Sequence, residues 1–126
     1  MAVKHAKELT VYQRGYEFAM RIFHISKRFP TEERFALTSQ IRRSSRSVCL
    51  NLREAWAKRR YPAHFLSKLT DCDGEVNETD SSLDFARDCG YISPDEHRAL
   101  VEIGHEVGKM LGSMIRDPDP LLLNDS

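Results

Sequence analysis

A stretch in which guanidinium groups and aromatic rings alternate offers one clear chemistry, phosphate binding combined with base stacking, and residues 42–64 have that character. Arg42, Arg43, Arg46 and Arg53 lead into Trp56-Ala57-Lys58-Arg59-Arg60-Tyr61, with His64 beyond. Arginine meets phosphate through paired N–H donors, while a Trp or Tyr face stacks on any base. The residues expected to touch RNA or DNA are therefore Arg42, Arg43, Arg46, Arg53, Trp56, Lys58, Arg59 and Arg60. The same patch could instead lie between subunits and pair with acids from the second half of the chain. Both readings stand at this point.

Other chemistries find less support. Glu102-Ile103-Gly104-His105 has the ExxH spacing of carboxylate di-iron bundles, with Glu75 and Glu78 as further oxygen donors, but such sites need a second ExxH. Asp71-Cys72-Asp73-Gly74-Glu75 resembles a calcium loop, yet its glycine comes too early and the segment sits inside a helical pattern. Glu75, Glu78, Asp80 and Asp84 could hold magnesium for nucleoside triphosphate cleavage, but the fourth periodic segment supplies no matching acidic pair. Ser44, Ser45 and Ser47 have neither a nearby His in sequence nor a strained turn to present a nucleophile. No catalytic residue, metal ligand or cofactor is expected, and a metal-dependent hydrolase is the weakest of the readings.

The composition narrows the class. A chain of 126 residues with 40% hydrophobic and 30% charged residues suits one globular domain. It has no apolar run long enough for a bilayer, so no membrane partner is expected. Residues 1–9 carry no apolar signal core, and Cys49, Cys72 and Cys89 show no CxxC spacing, which points to buried reduced thiols in the cytoplasm. The net charge of zero conceals a division. Residues 1–60 hold fourteen Lys and Arg against five Asp and Glu, a formal +9, and residues 61–126 reverse those counts to −9. An assembly in which these halves face one another between neighbouring copies is the alternative to a nucleic-acid role.

Four periodic segments must position these groups. The first helix is predicted over Val11 to Arg28, with Thr10 as N-cap and Phe29-Pro30 as the stop. Its two apolar stripes, Tyr12-Tyr16-Ala19-Phe23 and Val11-Phe18-Ile22-Ile25-Phe29, together span a wider arc than one core needs, so part of the helix is expected to meet another subunit. Thr31 to Phe35 reads as a connection with a short helical turn capped by Thr31. The second helix follows from Leu37 to Lys58 on the seam Leu37, Ile41, Ser45, Val48, Leu52 and Ala55. Pro62 opens a third helix reaching Cys89, seamed by Phe65, Leu69, Cys72, Val76, Thr79, Leu83 and Ala86 and stopped by Gly90. Gly74 in its middle suggests a close backbone contact. Ser93-Pro94-Asp95-Glu96 starts the fourth helix, which runs to Arg116 on Leu100, Ile103, Val107, Met110 and Met114. Gly104, Gly108 and Gly112 would let another helix approach, from the same subunit or a neighbour. Residues 117–126 hold two prolines and are expected to form an extended tail after a bundle domain over 1–116.

Short connections make the expected fold all-α, an antiparallel up-down-up-down four-helix bundle. With these elements placed, the chain resembles the four-helix-bundle family encoded within intervening sequences of bacterial 23S ribosomal RNA genes. The resemblance spans Leu9 to Arg116. It rests on Val11-Tyr12-Gln13, the run from Phe29 to Ser44 containing Gln40-Ile41-Arg42-Arg43, the run from Ser47 to Ala55 containing Asn51-Leu52-Arg53-Glu54, and Gly90-Tyr91-Ile92-Ser93. It implies a ring-shaped homo-oligomer, typically a pentamer. It also implies kinship with accessory proteins of diversity-generating retroelements, which bind nucleic acid and a reverse transcriptase, so a reverse-transcriptase-like partner is a further expectation. Arg42 and Arg43 match the family's basic signature, and Asn51, Glu54 and Glu78 its polar positions, which are expected to fix helix register. Ala55 stands where the family usually has Gly, and Thr79 where it usually has an apolar residue.

Overall fold

Two apolar clusters, one above the other along four helices, are joined through a narrow waist of small residues. The computed structural model describes residues 3–123, which form α1 (Thr10–Ser26), α2 (Leu37–Ala57), α3 (Pro62–Asp88) and α4 (Pro94–Arg116), with no strand among them. Each helix packs on its two neighbours in chain order and α1 closes on α4, while no contact joins α1 to α3 or α2 to α4 among the described residues. Chain direction alternates. Cys49 of α2 lies at Tyr12 of α1 and Arg42 at Ser26, and on the other side Arg43 meets Glu78 while Glu54 meets Lys68.

The helix boundaries follow local chemistry. Thr10 is the first residue of α1 rather than its cap, because the hydrogen-bond ladder already begins with Gln13 N–H donating to the Leu9 carbonyl at 3.1 Å. The helix ends at Ser26, short of Arg28, since Lys27, Arg28 and Phe29 each donate to the carbonyl three residues back and tighten the last turn. Thr31–Glu33 forms the short turn, capped by Pro30 and not by Thr31. Glu33 then links two elements, accepting from Leu37 N–H at 3.3 Å at the start of α2 and from the Tyr91 hydroxyl at 2.8 Å. Gly90, at φ 79°, ends α3 with Tyr91 N–H donating to the Ala86 carbonyl and Gly90 N–H to Arg87, a Schellman arrangement that a side chain would strain. Ser93 and Glu96 cap α4 reciprocally, as their spacing predicts.

The seams predicted for α2 and α3 are buried in full. On α4 the deepest positions are Leu100, Ile103, Gly104, Val107 and Leu111, while Met110 and Met114 are only partly buried. The stripe drifts because a straight helix turns 3.6 residues, not 3.5, per turn. One cluster contains Val11, Val48, Leu52, Phe65, Val76 and Leu111, and the other Phe18, Ile22, Ile41, Leu83, Leu100 and Ile103. Between their levels lie Gly15, Ser44, Ser45, Thr79 and Gly104, all buried. A Cβ at Gly104 would stand 3.2 Å from Phe18 Cζ and one at Gly15 3.4 Å from Val48 Cγ1, so both glycines allow close approach inside the bundle. Gly74 and Gly108 do not, for nothing lies within 4 Å of where their Cβ would be.

The Ser44 and Thr79 hydroxyls are 2.7 Å apart and fully buried. Thr79 Oγ1 donates to the Glu75 carbonyl at 2.8 Å, which leaves it to accept from Ser44. Past Arg116 the chain does not run extended. Asp119–Leu121 makes one 3-10 turn, Leu121 and Leu122 pack on the first cluster, and Leu123 N–H donates to the Arg59 carbonyl at 3.1 Å; residues 124–126 of the expected tail lie outside the described residues. Cys49 and Cys72 are buried, and desolvation pushes their thiols up to about 11 and about 12, but Cys89 is exposed, contrary to expectation, because it caps α3 on the outer side.

The Ser44–Thr79 pair gives a test of the waist. Thr79→Val leaves a buried hydroxyl with only a 3.4 Å bond to Ile41 O and is expected to cost about 1–2 kcal/mol. Ser44→Ala with Thr79→Val should recover most of that, measured as a double-mutant cycle in urea.

Candidate nucleic-acid interface

The eight residues singled out in the sequence do not share one surface. Arg42, Arg46 and Arg53 fall on the outward stripe of α2, at steps of four and seven. Arg42 leans towards α1, its Nε donating to Ser26 Oγ at 2.8 Å and its guanidinium 4.9 Å over the Phe23 ring. Arg46 lies 5.7 Å and Lys27 4.8 Å from the same ring, so one partly buried aromatic holds three cations by their attraction to its π face. Arg43 points the other way, to α3, donating twice to the Glu78 carboxylate at 2.7 and 2.8 Å with Glu75 at 3.5 Å. Lys58 is exposed at the C-cap of α2 and Arg60 is exposed in the following turn.

Trp56 is not an open stacking platform. Arg59 lies 3.6 Å over its ring and donates Nε to the Trp56 carbonyl at 2.9 Å. The cleft around them, about 580 Å³, is walled by Val3, Lys4 and Pro120 to Leu123, so the end of the chain lies beside this pair. Burial also depresses the Arg59 pKa below its ordinary value, the cost of desolvating its charge.

The structure assembles a different site. Arg34, Phe35, Arg42, Arg43, Arg46 and Leu50 line an open groove of about 530 Å³ along α2. Phe35 is 89% exposed, with the Arg34 guanidinium 5.2 Å from its ring. Sequence reading assigned Arg34 and Phe35 to a connection. The available signal was helical phase, since Phe35, Ser39, Arg42 and Arg46 run at steps of four, three and four. Arg34, Arg42, Arg46 and Arg53 have no carboxylate partner among the described residues.

Alongside lies an apolar groove between α1 and α2, about 290 Å³, formed by Tyr12, Tyr16, Ala19, Met20, Cys49 and Leu50, with Arg46 on its wall. Tyr12 and Tyr16 stack at 6.4 Å, and Tyr16 and Leu50 remain 55% and 63% exposed. This is the part of the wide α1 arc that the core does not use.

The remaining candidates are placed as follows. Glu102 and His105 are both exposed on α4, and among the described residues no three His, Cys, Asp or Glu side chains gather as a metal site would require. Asp71 to Glu75 is helical within α3. Asp84 contacts His97 Nε2 at 2.8 Å. Ser44 and Ser45 are core residues. Glu54 and Glu78 brace α2 to α3 through Lys68 at 2.5 Å and Arg43, whereas Asn51 makes no side-chain hydrogen bond among the described residues. The charge division is partly satisfied inside one chain, because Arg14 of α1 meets Glu106 at 2.7 Å and Arg28 meets Glu96 at 2.7 Å, both on α4. No helix among the described residues is long and apolar enough to cross a membrane.

Comparison with known proteins gives a consistent picture. A family model described as 23S rRNA-intervening sequence protein matches residues 7–113. A crystal structure from Bacteroides thetaiotaomicron, of a protein of unknown function from the S23 ribosomal protein family, is similar at 32% identity, covering 84% of this chain and 95% of that one with a TM-score of 0.76. No curated protein matches the sequence.

The Arg43 brace generates a pH test. One oxygen of Glu75 is buried without a hydrogen bond, and desolvation pushes its carboxyl above the ordinary value, with the Glu78 carboxylate adding to the shift and Arg43 opposing it. The folded state thus binds the Glu75 proton more tightly than the unfolded state, so this group costs stability as pH rises past about 4.5. Glu75→Gln should gain on the wild type between that pH and neutrality, read from urea midpoints at each pH; a gain confined to acid would contradict the sign.

Proposed function

This chain belongs to the 23S rRNA-intervening sequence protein family, and from that premise we propose that it acts without catalysis, as a homo-oligomeric module that holds RNA or DNA along the outward face of α2. The observation that carries the reading is the α2 groove, where Arg34, Arg42, Arg43 and Arg46 converge beside the exposed ring of Phe35. Three of these four guanidinium groups lack a carboxylate partner among the described residues, so phosphate oxygens can meet them without first displacing an ion pair. Phe35 supplies a stacking face worth about 1–3 kcal/mol per base, which Trp56 under Arg59 does not present. RNA is favoured over DNA by the names that accompany the similar sequences, an rRNA intervening sequence and a ribosomal protein family.

The resemblance adds a ring of copies, with five as its proposed number, the cytoplasm as the compartment, and a reverse-transcriptase-like protein as a candidate partner. Association between copies has its own support in the exposed groove of Tyr12, Tyr16, Met20 and Leu50. That observation also favours a second reading, a purely structural assembly with no nucleic-acid role. Such an assembly would be held by apolar contact more than by charge, because α1 and α4 already pair oppositely charged groups within one chain.

Fluorescence anisotropy with labelled single-stranded RNA and DNA separates these readings. Binding should weaken steeply with salt, with a slope of log K against log salt of about −0.7 for each phosphate neutralised. Arg42→Glu with Arg46→Glu should cost at least tenfold at low salt and flatten the slope by about one to two, and Phe35→Ala should cost about fivefold or more. Absence of binding by the intact oligomer at about 50 mM salt would leave only the structural reading.

A further inference from the structure

The exposed apolar groove needs an occupant, and the opposite side of the same chain carries a surface that fits it. On α3, Asp71, Gly74, Glu78, Ser81, Phe85 and Asp88 follow one another at steps of three and four, and all six are exposed. Phe85 is a large apolar side chain left 65% exposed on a line otherwise made of acids and small residues. The line has no basic residue. The groove has the complementary character, apolar between Tyr16, Met20 and Leu50 and bounded by Arg46, with Arg42 and Arg53 on the same stripe and none of the three arginines paired to a carboxylate among the described residues.

We infer that the Phe85 face of α3 in one copy seats in the α1–α2 groove of a second copy, with Phe85 between Tyr16, Met20 and Leu50 and the acids of α3 against the arginines of α2. The inference rests on the oligomer reading above and deepens it by naming both faces and the direction of the contact. A groove of about 290 Å³ accommodates a phenyl ring. Gly74 agrees with this geometry. It sits eleven residues before Phe85, about 16 Å along the same line, in mid-helix where glycine weakens the backbone, and nothing in its own chain approaches it. A neighbouring helix lying along the Phe85 face would cover that position. Because the two faces are different patches, the contact is heterologous, so copies add head to tail and close into a ring when the rotation permits.

Two exposed substitutions test this without disturbing the core. Phe85→Asp removes the inserted ring and leaves the groove intact; Tyr16→Asp spoils the groove and leaves Phe85 intact. Each alone, checked for native helicity by circular dichroism, should reduce the mass seen by light scattering from the oligomer to a single chain. Mixed in equal amounts, they should form a heterodimer and nothing larger on native mass spectrometry, because one good groove and one good Phe85 face remain. A Phe85→Asp protein as large as the wild type, or a mixture that stays monomeric, overturns the pairing while the oligomer reading survives. A wild-type protein that is itself a single chain at all concentrations defeats both.

Discussion

The register between α2 and α3 is the constraint on which the remaining geometry depends, and a buried hydroxyl pair sets it. Ser44 and Thr79 lie at the waist between the two apolar clusters, where sliding either helix by a turn would leave two desolvated hydroxyls without partners. Each such orphan costs about 1–3 kcal/mol, more than the roughly 0.2–1 kcal/mol of a surface ion pair. The hydrophobic seams bring the helices together, the hydroxyl pair selects their alignment, and the Arg43–Glu78 and Lys68–Glu54 braces fall into line on either side of it. Thr79, which departs from the apolar residue usual in the family, therefore replaces nonspecific packing with a directional contact.

That alignment decides which charges remain available. Arg14, Arg28 and Arg43 are engaged by Glu106, Glu96 and Glu78 in the same chain. The division of the sequence into a basic and an acidic half is thus partly a folding device, since it favours α1 against α4 and α2 against α3. What is left on α2 is a row of guanidinium groups with no carboxylate partner among the described residues, bordered by exposed Phe35 and Leu50. Phe23 keeps two of those groups extended by holding Arg42 and Arg46 over its ring, which lowers the ordering cost of binding an anion there.

The outward face of α2 adjoins two surfaces of different character. Its arginine groove suits a phosphate backbone, whereas the neighbouring α1–α2 groove is mainly apolar and suits a protein helix. Arg46 and Leu50 belong to both, so assembly and ligand binding on this helix are adjacent events. Trp56 has a different part. Capped by Arg59, with the Leu121–Leu123 segment beside it, it closes the end of the bundle where α2 turns into α3.

Heptad spacing, capping residues and prolines were enough to place four helices, both central seams and the turns between them, because these depend on interactions within a few residues of one another. Ser93 with Glu96 and Gly90 at its positive φ are local in that sense. Family membership was legible too, in the runs around Gln40-Ile41-Arg42-Arg43 and Asn51-Leu52-Arg53-Glu54. The site was legible only in part. That Arg43 would be engaged by Glu78, that Trp56 would lie under Arg59, and that Phe35 would join Arg42 and Arg46 in one groove depend on which helix stands beside which, and at what height. The same holds for Gly74, which faces open space, for Cys89, which lies outside, and for Leu111, which takes the depth expected of Met110. Spacing along one helix assigns a residue to a face, and only the packed neighbours decide whether that face meets the core, a charge or the solvent.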